Sequence, residues 1–94
     1  MGYLISNELI IQWGLRYNVG TNSVKGSGNI VTLPISYLSD WIGLITCASG
    51  RIPMYSDADT NIPGISGKTL SDFGICYSST VSYNANFYWI TIGF

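Results

Sequence analysis

Short runs of alternating apolar and polar residues recur along this chain, and glycine, proline or asparagine clusters close each run. Residues 9–14 (Leu-Ile-Ile-Gln-Trp-Gly) form one such run. Leu9, Ile11 and Trp13 share one face and Ile10 and Gln12 the other, which is the period of a strand. From Arg16 to Asn29 the chain is polar and holds Gly20, Gly26 and Gly28, predicting a weak strand and a turn. Ile30 to Leu33 is a further strand, stopped by Pro34, which has no N–H to give to a central ladder. Ile35, Leu38, Ile42 and Ile45 fall at helical spacing and predict one turn of helix near Ser36–Asp40. Gly43 and the β-branched residues after it return the chain to a strand over 42–49. Gly50 breaks that strand, Arg51–Tyr55 reads as a short one, and Ser56–Lys68 as a long loop.

The next strand runs from Phe73 to Ser79, with Ile75 and Tyr77 on one face and Cys76 on the other. A polar connection, Ser78–Asn86, follows it. In the closing strand, Phe87–Phe94, the residues Phe87, Trp89 and Thr91 point one way and Tyr88, Ile90, Ile92 and Phe94 the other. Both of its faces are apolar, so it is either central, or covered on one side by its own sheet partner and on the other by a neighbouring subunit. Trp13 and Trp89, both on strands, read as core; Trp41 reads equally as core or as exposed. Six to seven short strands with turn signals between them predict a compact antiparallel β-sandwich, an all-β fold. Residues 1–94 form one domain, with 1–8 outside the strand pattern as a linker or the start of an excised piece.

Composition sharpens this. Ninety-four residues hold one domain with a thin core. Only 10% are charged, against about 25% in an ordinary soluble protein. Mean hydropathy is positive, +0.28. So few charges keep a lone chain soluble only with difficulty, and the composition implies that other chains cover part of its surface. Four Lys or Arg do not make a basic surface for nucleic acid. Without histidine, an imidazole base, a Ser-His-Asp triad and an imidazole metal site are excluded within this chain. No apolar run reaches the ~18 residues of a membrane span, and the first residues lack the basic start of a secretory signal. Cys47 and Cys76 read as buried free thiols of a protein folded in a reducing cytoplasm.

Three runs now stand in order: Ile11-Gln12-Trp13-Gly14, Val31-Thr32-Leu33-Pro34-Ile35, and Tyr88-Trp89-Ile90-Thr91-Ile92-Gly93-Phe94. This order over residues 9–94 resembles the C-terminal domain of tailed-bacteriophage tail fibres, a family that also occurs in prophages and phage-tail-like bacteriocins. Its signature runs IQWG, VTFPI, a phenylalanine-bearing strand, and YWIAIG before a final aromatic residue. Leu33 replaces the usual phenylalanine and Thr91 the usual alanine, and both keep strand character. The resemblance implies a homotrimeric sandwich at the fibre tip of the virion, made in the bacterial cytoplasm. It implies adsorption to a host glycan such as lipopolysaccharide, or to an outer-membrane protein. Two other readings stand beside it: a purely structural trimerisation cap, and a trimeric lectin-like sandwich from outside phages.

No enzyme is expected. Asp57 and Asp59 are a pair of carboxylates in a loop, but turn-forming Asp residues explain them equally. With Asn61 they imitate the start of a calcium loop, yet the glycine and distal glutamate are missing and Pro63 follows, so no metal and no cofactor is expected. Cys47 has no histidine to activate it. Binding fits better, because sugars need aromatic faces for stacking and amides or carboxylates for their hydroxyls. Tyr55 and Tyr83 sit beside polar loops. The stretch Arg51–Lys68 gathers Arg51, Asp57, Asp59, Asn61 and Lys68, with Asp72 close behind. The expected receptor-binding residues are therefore Arg51, Tyr55, Asp57, Asp59, Asn61 and Tyr83.

Overall fold

The closing strand, apolar on both faces, has a hydrogen-bonded neighbour along each of its edges. The computed structural model describes residues 1–20, 24–50, 63–77 and 84–94, with the backbone alone for 47–50. Among these, seven strands form: β1 Gly2–Ser6, β2 Leu9–Val19, β3 Ile30–Thr32, β4 Trp41–Gly50, β5 Gly64–Ser66, β6 Asp72–Cys76 and β7 Ala85–Gly93. A four-stranded sheet in the order β1-β2-β7-β4 packs on a three-stranded sheet, β3-β6-β5, and every pairing is antiparallel. This is the all-β sandwich that the alternation predicts.

The elements depart from the sequence pattern in four places, each for a physical reason. Residues 1–8, read as a linker, contain β1, which makes a hairpin with β2 through Asn7 and Glu8 at φ 49° and 69°. Two successive left-handed residues are the geometry of a tight hairpin turn, normally announced by Asn-Gly, and here hidden by glutamate. Second, β2 runs on to Val19 through an irregularity after Arg16, where Asn18 takes a φ of 56°, and the Arg16 side chain donates to the carbonyls of Ile30 and Gly28 at 3.1 and 3.0 Å. Third, no helix forms at 36–40. The N–H groups of Leu33, Tyr37 and Ser39 donate instead to Ser71, Leu70 and Phe94, leaving none for a helical turn. Fourth, the predicted loop 56–68 contains the edge strand β5. The short strand expected at Arg51–Tyr55 lies outside the described residues.

Between the sheets lies an aromatic spine. Tyr37 stacks on Trp41, Trp41 tilts against Phe73, and Phe73 meets Trp89 edge-on, at centroid distances of 5.9, 5.3 and 5.7 Å. Trp41 and Trp89 are 2% and 3% exposed, so the ambiguity at Trp41 resolves to core. Trp13, expected in the core, is 45% exposed: it points out of the sandwich, and Gln12 points in. Each tryptophan stands directly across from a glycine, in the pairs Trp13–Gly2, Trp89–Gly14 and Trp41–Gly93. A Cβ on Gly14 would come within 2.5 Å of the Trp89 ring. At Gly2 and Gly14 the facing indole fills the space a Cβ would need, and at Gly93 the Asp40 carbonyl and the Trp41 Cβ do.

Gln12 is completely buried yet satisfied. Its Nε2 donates to the Ile35 carbonyl at 2.9 Å, and the Ile35 N–H donates to its Oε1 at 3.0 Å. The side-chain amide acts as one more rung of ladder, joining β2 to the segment after Pro34. Tyr37 adds a second tie, with its hydroxyl 2.7 Å from that of Thr91 and donating to the Ile10 carbonyl. Asn29, also fully buried, donates through Nδ2 to the carbonyls of Ile75 and Val24 and accepts from the Gly26 N–H.

Candidate functional site

All six residues expected to bind a receptor, Arg51, Tyr55, Asp57, Asp59, Asn61 and Tyr83, lie outside the described residues. What the structure supplies is the frame that borders them. Gly50, where segment 51–62 begins, pairs with Ala85, and Val19 pairs with Ala85 from the other side of β7. Tyr77, where segment 78–83 begins, donates its hydroxyl to the Val19 carbonyl at 2.7 Å. Gly64, just after the first segment, pairs with Cys76. The described borders of both segments thus gather at one end of the sandwich. At the other end, Ile10 and Trp41 flank Gly93, and the Phe94 backbone is tied to Ser39 and Asp40.

Two charged residues close in sequence to the expected site, Lys68 and Asp72, make ion pairs within the fold. Lys68 pairs with Asp40 at 2.9 Å and lies 5.0 Å from the centroid of the Trp41 ring. Asp72 receives Lys25 at 2.7 Å and the hydroxyl of Thr69. The bond from Lys25, followed by that from Thr69, holds the Asp72 carboxyl below its ordinary value of 3.8. Lys68, with the Trp41 N–H, does the same for Asp40. A depressed folded-state value means that the ionised form stabilises the fold. That stability is complete above pH 3.8 and is lost as the pH falls past the depressed values. Melting temperature should therefore drop on acidification below the carboxylate range, and Asp72→Asn should flatten part of the drop in melts recorded from pH 6 to pH 2. An unchanged slope in Asp72→Asn would show that the Lys25 pair adds nothing.

Cys76 is unpaired and only half-buried, not fully buried as expected; its sulfur lies 3.7 Å from Asn29 Nδ2. Cys47 lies in β4 opposite Phe87.

On the outer face of the four-stranded sheet, the second apolar set that alternation gives the closing strand continues across to its neighbours. Register carries three rows across it: Leu4–Ile11–Ile92–Ile42, Gly2–Trp13–Ile90–Leu44, and Leu15–Tyr88–Thr46. Thr46 is the polar member of these rows. Among the described charged residues, Glu8 sits in the hairpin turn, Arg16 reaches across to the second sheet and Lys25 pairs with Asp72; Asp40, paired with Lys68, borders the face beside Ile42 and Ile92. A furrow of about 260 Å³ runs between Ile42, Leu44, Ile90 and Ile92. A larger one, about 510 Å³, lies at the Gly93 end of the sandwich beside Leu9, Leu38 and Phe94. Neither carries a constellation of polar groups suited to chemistry on a small molecule.

A family model described as "Putative tail fiber protein gp53-like, C-terminal" matches residues 3–94. Among solved structures, the chain is similar to a selenomethionine structure of an N-truncated R2-type pyocin tail fiber. The TM-score is 0.61 at 19% identity, over 92% of this chain and 30% of that one. The likeness is one of fold, and the chain spans less than a third of that fibre's length. No curated protein matches the chain.

Proposed function

The chain belongs to the gp53-like tail fibre C-terminal family, and from that premise we propose that it recognises a receptor on the host cell during adsorption, as a homotrimer and without enzymatic activity. One observation carries the reading. The described borders of segments 51–62 and 78–83 (Gly50, Gly64 and Tyr77) share one end of the sandwich, the place from which connecting segments of a strand scaffold meet a partner. Tyr55 and Tyr83 supply aromatic faces, and Arg51, Asp57, Asp59 and Asn61 supply groups for sugar hydroxyls or a protein surface. The receptor is a cell-surface glycan or an outer-membrane protein. A single site of this kind holds with about −4 kcal/mol, a millimolar constant. Three sites on one trimer, multiplied over the fibres of a particle, raise avidity by orders of magnitude.

The test is competition. The isolated domain should block adsorption of the parent particle to its host, and Tyr55→Ala with Asp57→Ala should abolish the block while size and melting temperature stay unchanged. A double variant that still competes fully places the site elsewhere. A parent domain that fails to compete at saturation supports the structural cap instead.

A further inference from the structure

We infer that the outer face of the β1-β2-β7-β4 sheet is the surface through which copies of this chain pack on one another, with Trp13, Ile90 and Leu44 at its centre. The inference rests on the homotrimeric reading above and assigns the face that makes the trimer. An apolar sheet face left to water is the exception in a stable monomer, whose largest apolar patch is usually about 300–600 Å². Here Leu4, Trp13, Ile42, Leu44, Tyr88 and Ile90 are between 45% and 74% exposed. With their neighbours they offer on the order of 1,000 Å², more than the ~800 Å² that each partner brings to a standard stable interface.

Charge argues the same way and names the occupant. The described charge that borders the face, Asp40, is matched by Lys68 of the same chain, so the face offers little to steer a charged partner, and a surface of its own kind is its best complement. Strand alternation gives a second, independent reason. In β7 the inward set, Phe87, Trp89 and Thr91, fills the core, while the outward set, Tyr88, Ile90 and Ile92, is equally apolar although packing within the chain makes no demand on it. The central strand is written for a sheet buried on both sides.

Trp13 also provides the readout. Trp41 and Trp89 are sealed in the core, so in a single chain only Trp13 is open to a soluble quencher. Light scattering should give three chains per particle for the unmodified domain, with tryptophan emission resistant to acrylamide. Ile90→Asp and, separately, Leu44→Lys should cut the mass threefold and open one tryptophan to quenching, with near-ultraviolet circular dichroism still reporting the packed aromatic spine. Val24→Asp, 67% exposed and held beside the second sheet through Asn29, should stay trimeric. If Ile90→Asp and Leu44→Lys both remain trimeric, the face assignment fails and the homotrimer stands. If the unmodified domain is a monomer, the homotrimeric reading fails and takes this inference with it. Should either variant unfold, the unmodified trimer decides: a tryptophan freely quenched there overturns the proposal.

Discussion

Trp89→Ala should cost the domain about 3–5 kcal/mol per chain, a large part of the 5–15 kcal/mol that holds a typical domain folded. The residue is 3% exposed, meets Phe73 edge-on at 5.7 Å, and roofs Gly14 on the neighbouring strand. Removing the indole leaves a cavity between the two sheets and uncovers the Gly14 backbone at once. The core around it is thin, so neighbours cannot fill the space without breaking the aromatic spine. Denaturant unfolding at fixed chain concentration would measure the loss. Trp13→Ala is the internal comparison: the same residue type on the next strand, facing outward, should change single-chain stability little and weaken assembly instead. Equal stability losses in the two variants would show that burial is not what separates these two tryptophans.

That contrast marks the limit of what periodicity conveys. Alternation divides a strand into two faces, and it divided β2 and β7 correctly. It does not say which face turns inward when both are apolar, and β2 offers Leu9, Ile11 and Trp13 against Ile10 and Gln12. A polar glutamine makes the second set look like the solvent side. The choice is settled by Ile35, which lies 23 positions away and supplies a donor and an acceptor at the spacing of an amide. The ion pairs are equally hidden, because Lys25–Asp72 and Lys68–Asp40 span 47 and 28 residues. Lys68 and Asp72, close in sequence to the expected site residues, are matched across the fold to partners that sequence order does not indicate. Strands β1 and β5 were missed for local reasons: a turn without glycine in the first case, and three residues amid glycine and proline in the second. The order of the three motifs, by contrast, was legible and carries physical sense, since Gln12 of the first holds Ile35 of the second, and Gly14 of the first lies under Trp89 of the third.

Gln12 is the point at which that ordering can be tested. Gln12→Leu keeps the volume and removes both hydrogen bonds, leaving the N–H and carbonyl of half-buried Ile35 without their partner. At about 0.5–1.5 kcal/mol for each bond, the loss should be about 1–3 kcal/mol. Gln12→Glu separates hydrogen bonding from packing. Ionised, the carboxylate accepts from the Ile35 N–H but faces the Ile35 carbonyl with no proton to give, inside a site closed to water. Protonated, it donates to that carbonyl and restores both bonds. Burial and the facing carbonyl therefore raise the folded-state value of this carboxyl above its unfolded one. The linkage runs opposite to that of Asp40 and Asp72: the stability recovered by the acid form is complete below the unfolded value and is lost as pH rises through the folded one. At neutral pH, Gln12→Glu should thus be no more stable than Gln12→Leu, and on acidification it should close much of the gap to the parent while the parent itself weakens. Converging melting temperatures of Gln12→Glu and the parent between pH 7 and pH 4 would confirm that the paired bonds hold β2 to the segment after Pro34. Parallel curves would mean that packing alone does so.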